Sequence, residues 1–332
     1  MTPSAPRIFR LAAGDLEARL AAVLALPAAS RFEVETTPLG GNAWNTASVL
    51  RHRIHFADSR APVECVEKKL RKVLAVGAFE PVMQAWVAQL QREGQRLRTP
   101  HLGVIDTPRA TFLYSQNVSG AHAHLARMAP EAGAGIAESE AASASALCAV
   151  PPAGAWRLDF FRPWTLRRPR YHLALALRRA EAGPPREVLQ LVRAMQPRLR
   201  QMAREAQASP PCSSHLDLIS KNLIVNERGL HLIDWGEGRI GRYGFDAGSY
   251  LHRLLRANEM RVFEAARATF LQSYFAHLPA DVDARQVRRN MLFFLALRTA
   301  CHFLRPDVLR ADASGVGDKL AWLRAQIDPS AG

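Results

Sequence analysis

Between His215 and Trp235 the chain sets three oxygen-bearing side chains at steps that leave few folds open to it. Asp217 and Asn222 stand in the run His215-Leu216-Asp217-Leu218-Ile219-Ser220-Lys221-Asn222, and a hairpin pattern then leads to Ile233-Asp234-Trp235. That hairpin reads as Leu223 to Val225, the turn Asn226-Glu227-Arg228-Gly229, and Leu230 to Trp235. Phosphoryl transfer asks for such a set: a carboxylate that orients the attacking hydroxyl, and oxygen ligands for magnesium on the phosphates of ATP. The step from Asp217 to Asn222 matches an H-x-D-x-x-x-x-N catalytic loop, and a hairpin is what returns a later metal-binding Asp towards the Asn. Singly, each of these residues reads as readily as a turn former. The combination carries the specificity.

The upstream half offers the remaining parts in order. Arg31 to Thr37, Thr46 to Phe56 and Val63 to Leu70 alternate apolar and polar residues with the period of two of half-buried strands. Phe79 to Gln91 has a helical period, and Leu102 to Ile105 and Thr111 to Val118 read as two more strands. An antiparallel sheet with one helix follows, a small nucleotide-covering lobe over residues 1–118. Lys68 shares a strand face with Val66 while Lys69 points the other way, so Lys68 is the candidate for the ATP phosphates and Val66 for the adenine; a solvated lysine pair is the bland alternative. Glu80 is the candidate partner of Lys68, although an acid at a helix start is also favoured by the helix dipole. Gly40, Gly41 and Asn42 are candidates for covering phosphates with backbone N–H groups, or form a plain hairpin turn. Gln116 and Val118 stand where a hinge would meet the adenine edge. No Walker A loop occurs.

Beyond Ser119 helical patterns take over. Residues 130–155 are rich in Ala, Ser and Gly, which suits either a mobile linker or a helix over Ile136 to Cys148. Helices are expected at Tyr171 to Ala182, at Pro185 to Ala206 and from about Asp246 onward, making residues 119–332 a larger, mainly helical catalytic and substrate-binding lobe. Ala21 to Ala29 is apolar, but Asp15 and Glu17 precede it, so an amphipathic opening helix is expected in place of a signal peptide. Met291 to Leu304 is short and interrupted by Arg298, a core helix and not a bilayer span.

With these residues in place the chain resembles the aminoglycoside phosphotransferase and choline kinase superfamily. Its members carry an H-G-D-x-x-x-x-N loop and an I-D-W/F metal motif, and here the matching residues are His215-Leu216-Asp217, Asn222 and Ile233-Asp234-Trp235, with Leu216 in the glycine position. The resemblance implies an α+β, two-lobed protein-kinase-like fold and an enzyme that uses ATP and Mg2+. It implies Asp217 as the base or hydroxyl-orienting residue, Asn222 and Asp234 as magnesium ligands, and His215 and Asp246 in supporting places. For Asp246 a helix N-cap is the other reading.

Rival readings are narrower. Gly236-Glu237-Gly238-Arg239-Ile240-Gly241 matches a dinucleotide fingerprint, but the strand–helix context it needs is not expected. A catalytically inactive kinase-like binding module is the alternative to an enzyme. No A-P-E segment follows Asp234, which favours a small-molecule hydroxyl acceptor, a sugar, amino alcohol or glycolipid head group, over a peptide. The net charge of +14 favours anionic partners without defining the fold. Arg162, Arg167, Arg168 and Arg170 around Trp156, Phe160, Phe161 and Trp164 suit an anionic or membrane-associated acceptor, or a solvated face. Specific nucleic-acid binding is not expected. Cys65, Cys148, Cys212 and Cys301 make no CxxC pair, which fits a cytoplasmic protein, in one reading peripheral at the inner membrane surface.

Overall fold

The structure, a computed structural model, describes residues 8–10, 15–27, 30–40, 46–58, 60–71, 79–92, 99–149, 158–161, 184–305, 307–308 and 313–327. The chain divides into two compact units. The first is Met1–His122 with Cys148–Ala153 and Leu223–Gly238; the second is Ala123–Leu147 with Gly154–Asn222 and Arg239–Gly332.

The first unit is built on a six-stranded sheet. Its strands are β1 (Ile8–Arg10), β2 (Phe32–Gly40), β3 (Thr46–Phe56), β4 (Val63–Arg71), β5 (His101–Asp106) and β6 (Ala110–Gln116), in the order β1-β5-β6-β4-β3-β2. All neighbours are antiparallel except β1 and β5, which run parallel, a pairing the alternating patterns did not announce. Helix α1 (Leu16–Val23) starts where the Asp15 carboxylate accepts the Ala18 N–H at 2.8 Å, a side-chain N-cap. It buries Leu20 and Val23 against Ile54, Cys65, Ile105, Phe112 and Tyr114. Beneath it, buried Glu67 accepts from Arg19 at 3.0 Å and from the Tyr114 hydroxyl, tying α1 to the sheet. Helix α2 (Phe79–Arg92) follows β4, and β7 (Ala121–His122), β9 (Leu223–Asn226) and β10 (Gly229–Leu232) make a second, three-stranded sheet.

The second unit is mainly helical. Helix α3 (Ala129–Ala149) occupies the Ala-rich stretch, so that segment is a helix and not a linker through Ala149. Helix α4 (Pro184–Gln207) begins on prolines, which the first helical turn accommodates because its N–H groups lack intrahelical partners. Strands β8 (Pro211–Ser214) and β11 (Arg239–Arg242) pair antiparallel. Helices α5 (Phe245–Ala257), α6 (Met260–Ala276), α7 (Ala284–Phe303) and α8 (Ala313–Ile327) complete it. Helix α5 lies close along α7: a Cβ on Gly248 would sit 2.6 Å from the Met291 carbonyl oxygen, so only glycine permits that approach. Phe160, Phe161, Phe245, Phe293 and Phe294 cluster beside this crossing, some rings edge to face and others stacked. After Gly238 the chain enters β11 and not a helix, which removes the dinucleotide-fingerprint reading. The expected helix over Tyr171 to Ala182 lies outside the described residues. Among the described residues no helix is long and apolar enough to cross a membrane.

Candidate active site

In the first unit, the period of two on β4 sends Val66 and Lys68 to one face and Cys65, Glu67 and Lys69 to the other. Lys68 Nζ donates to Glu80 Oε1 at 2.6 Å and to Asp234 Oδ1 at 2.8 Å. Burial works against the Lys68 ammonium, but Glu80 and Asp234 outweigh it and hold the group above the ordinary lysine range. Burial likewise lifts the fully buried Glu80 above the usual carboxylate range, against the pull of Lys68. Glu80 sits in the first turn of α2, where Gln84 one turn on donates to its Oε1 at 3.0 Å. Its Oε2 is buried with no hydrogen-bond partner. Asp234, just after β10, takes the left-handed conformation at φ 61° and is 41% exposed. A Cβ on Gly236 would lie 3.5 Å from both Asp234 Oδ1 and the Glu80 carboxylate, so the glycine keeps the space beside these oxygens open.

The other expected nucleotide contacts are distributed along this unit. Val66 is half-buried on the Lys68 face. Gly40 ends β2 at φ 146° after a register shift at Pro38, while Gly41 and Asn42 lie outside the described residues. Gln116 gives its N–H to the Pro100 carbonyl at 2.6 Å, Asn117 gives its own to Glu64 at 3.0 Å, and Val118 is half-buried.

In the second unit, the loop after β8 is suspended from a buried acid. Asp246 accepts the N–H of His215 at Oδ2 and of Leu216 at Oδ1, both at 2.8 Å. Gly244, at φ 90°, takes the N-cap position of α5, and Asp246 belongs to its first turn, so the N-cap reading of Asp246 is replaced by this brace. Ser249 donates to the Leu216 carbonyl at 2.8 Å. Held from both sides, Leu216 adopts φ 64°, the left-handed conformation that glycine takes at no steric cost. Buried His215 accepts the Asp217 N–H at Nδ1, 3.3 Å. Asn222, in the 3-10 turn Ser220–Asn222, donates to the Asp217 carbonyl at 2.9 Å and to Oδ2 at 3.2 Å. With its amide nitrogen committed to Asp217, Oδ1 is the atom Asn222 has left to offer a cation. Among the described residues no group of three His, Cys, Asp or Glu side chains could hold a metal by itself. Magnesium bound with nucleotide phosphates needs only one or two protein oxygens.

The sequence matches the phosphotransferase enzyme family APH over residues 85–287, more than half of its length. The chain belongs to that family. No curated protein matches the sequence. Among solved structures, an amicoumacin kinase in complex with AMP-PNP, Ca2+ and Ami is 13% identical, with 88% of this chain and 87% of that one covered at a TM-score of 0.55. A choline/ethanolamine kinase family protein from Mesorhizobium loti is 15% identical over 94% and 93% at 0.55. The aminoglycoside phosphotransferase APH(4)-Ia is 14% identical over 90% and 95% at 0.52. At such identities the likeness is one of fold, and it establishes the α+β kinase-like architecture of this phosphotransferase.

Two residues of the site escape the motifs. Glu140, on α3, is wholly buried; its Oε2 accepts the Gly244 N–H and its Oε1 the Asp246 N–H, each at 3.0 Å, and the Tyr274 hydroxyl donates to it as well. It fixes the corner that carries Asp246. Burial and then the charge of Asp246 push its carboxyl up to about 8, and burial also raises Asp246. Its only signal in the sequence was an acid inside an Ala-rich helical run. The other is Arg253, whose Nη2 donates to Asp217 Oδ1 at 2.6 Å. It follows Asp246 by seven residues, two helical turns, and that spacing puts it on the same helix face.

Proposed function

We propose that this phosphotransferase moves the γ-phosphoryl group of magnesium-ATP onto a hydroxyl of a small molecule, a sugar, amino alcohol or glycolipid head group. The observation that carries the reading is the state of Asp217: its carboxylate lies between Asn222 and Arg253 on a loop braced by Asp246. A carboxylate so fixed suits orienting an acceptor hydroxyl and accepting its proton, since positioning and electrostatics supply most of the catalysis of phosphoryl transfer. Family membership supports the phosphotransfer, and the AMP-PNP complex of the amicoumacin kinase supports a nucleotide donor.

The remaining roles follow the chemistry of the side chains. Lys68, ordered by Glu80, would meet the nucleotide phosphates, and the space kept beside Glu80 and Asp234 by Gly236 suits a group bound there. Asn222 and Asp234 would hold magnesium, which supplies charge neutralisation on the phosphates. Val66, Gln116 and Val118 would line the adenine, and Gly40, Gly41 and Asn42 the phosphates. In this reading residues 1–118 cover the nucleotide, and residues 119–332 carry catalysis and acceptor binding.

Asp217→Asn tests it. The variant is expected to lose roughly 10²–10⁴-fold in acceptor-dependent ATP consumption, the scale of a positioned proton acceptor, while calorimetry finds magnesium-ATP affinity nearly unchanged. Full turnover in the variant would refute the mechanism. A wild-type protein that binds magnesium-ATP but consumes none with any acceptor would favour the inactive binding module instead.

A further inference from the structure

Around the partner of Asp217 the second unit gathers more positive charge than its carboxylates balance. Arg253 uses Nη2 on Asp217, and its buried Nε has no hydrogen-bond partner. Beside it on α5, His252 is buried and Arg256 is exposed. Helix α7, packed along α5, brings Arg298 and, one turn on, His302, with Arg305 just beyond the helix. The rings of His252 and His302 meet edge to face with centroids 5.8 Å apart, which locks the two helix faces together. Among the described residues Arg253 pairs with Asp217 and Arg305 with Asp307, whereas Arg256 and Arg298 have no carboxylate partner.

The two imidazoles feel this field. Burial, followed by Arg298, Arg253, His302 and Arg256, holds His252 well below the ordinary histidine range. Burial, followed by Arg256, Arg305 and Arg253, pushes His302 down to about 4, with Asp307 the opposing group. Both rings are therefore neutral near pH 7, and the permanent charge of the cluster resides on guanidinium groups. Guanidinium is weakly hydrated and presents planar forks that match oxyanions. An ordinary solvated face would leave its cations exposed and apart; here Arg253 and Arg298 are half-buried and share neighbours.

We propose that the acceptor carries an oxyanion, a phosphate monoester or a carboxylate, and that Arg253, Arg256 and Arg298 hold it while its hydroxyl meets Asp217. This rests on the reading of Asp217 given above. Arg253 then has two tasks. It grips the acceptor, and it offsets the Asp217 charge that would otherwise repel an anion. In the transfer the acceptor hydroxyl oxygen forms a bond to the γ-phosphorus as the bond to the β–γ bridging oxygen breaks; ADP leaves with that electron pair, and the hydroxyl proton passes to Asp217.

The test uses binding, so it does not depend on turnover. Inorganic phosphate and acetate are titrated into the full chain saturated with magnesium and AMP-PNP, which occupies the nucleotide site. Wild type is expected to bind at least one of the two probes in the millimolar range. Arg256→Gln combined with Arg298→Gln should weaken that binding at least tenfold. Arg256 is exposed, so Arg256→Gln alone, expected to weaken binding about threefold, keeps the test available if the double variant does not fold. Tighter phosphate than acetate binding supports a phosphate monoester as the recognised group, and the reverse supports a carboxylate. No binding of either probe, or unchanged binding in the arginine variants, would overturn the proposal. Full turnover in Asp217→Asn would instead strike the catalytic reading and leave the anion result to stand on its own.

Discussion

Asp234 is held through charge, with Lys68 at 2.8 Å and an exposure of 41%, while the loop bearing Asp217 hangs on backbone N–H groups that converge on two buried acids. The two arrangements answer differently to their surroundings. A partly exposed ion pair is screened by salt and can be exchanged when another anion competes for the lysine. A buried carboxylate with backbone donors has no such substitute, because a donor stripped of its acceptor keeps its full desolvation penalty. Lys68 and Asp234 therefore form a centre suited to reorganise around a ligand. The Asp217 loop is a fixed platform.

The largest expected effect tests the platform. Glu140→Ala leaves the N–H groups of Gly244 and Asp246 and the Tyr274 hydroxyl without their acceptor, and at about 1–3 kcal/mol per buried orphaned group the loss should be about 3–9 kcal/mol. Denaturant unfolding measures it, and a loss under about 1 kcal/mol would mean that water or a rearranged side chain already replaces Glu140. Lys68→Met probes the charged centre with a smaller expected loss of roughly 1–3 kcal/mol, since Glu80 can take up a proton once its counter-charge is gone. Added salt should narrow the gap between wild type and Lys68→Met and leave the Glu140→Ala gap untouched. Equal salt responses would erase the distinction between the two regions.

Proton linkage sharpens the same contrast. Burial, and then Asp246, place the folded pKa of Glu140 at about 8, above that of an unfolded carboxyl. The folded state therefore prefers the protonated acid. That contribution is complete below the unfolded pKa and is lost as pH rises towards about 8. Wild-type stability should fall across this window, whereas Glu140→Gln, which cannot ionise, should show a flatter profile. The amide NH2 meets one backbone donor and imposes a constant offset, so the slope is the readout. Parallel profiles for the two proteins would place the titrating group elsewhere.

What the sequence disclosed follows from which interactions are local. Thr46–Phe56 reads as a strand from its period of two, and it appears as a strand over those same residues, with His52 and Ile54 turned to the buried face. Val63 to Leu70 and Phe79 to Gln91 each fall one residue short of the observed element, since a terminal residue adds little to a periodic pattern. The parallel pairing of β1 with β5 was hidden, because three residues carry no period and their partner lies far along the chain. Asp217, Asn222 and Asp234 were legible as candidates through their spacing. Glu140 and Arg253 were not, because their partners lie 104 and 36 residues away. Contacts of that kind leave no local signature.

The smallest predicted effect compares the only two site residues, Asp234 and Leu216, that the described chain holds in the left-handed region without being glycine. Asp tolerates that region because a short polar side chain can bond locally, whereas for leucine it costs roughly 1–2 kcal/mol. Leu216 cannot leave it: its N–H is bound by Asp246, its carbonyl by Ser249, and its side chain is buried. Replacing Leu216 by Ala or by Gly removes the same packing and costs about 2–5 kcal/mol in either case. The two variants then differ by a single Cβ. In an ordinary helix or strand Gly is the less stable of the two by roughly 0.5–1 kcal/mol, but at φ 64° the order should invert, with Leu216→Gly more stable than Leu216→Ala by about 1 kcal/mol. Paired denaturation curves read that sign directly. If Ala is the more stable, the loop reaches its Asp246 bonds without strain, and the leucine in the family's glycine position has no conformational cost. If Gly is the more stable, the carboxylate brace is strong enough to hold a leucine where the backbone resists it, and the platform under Asp217 is rigid for that reason.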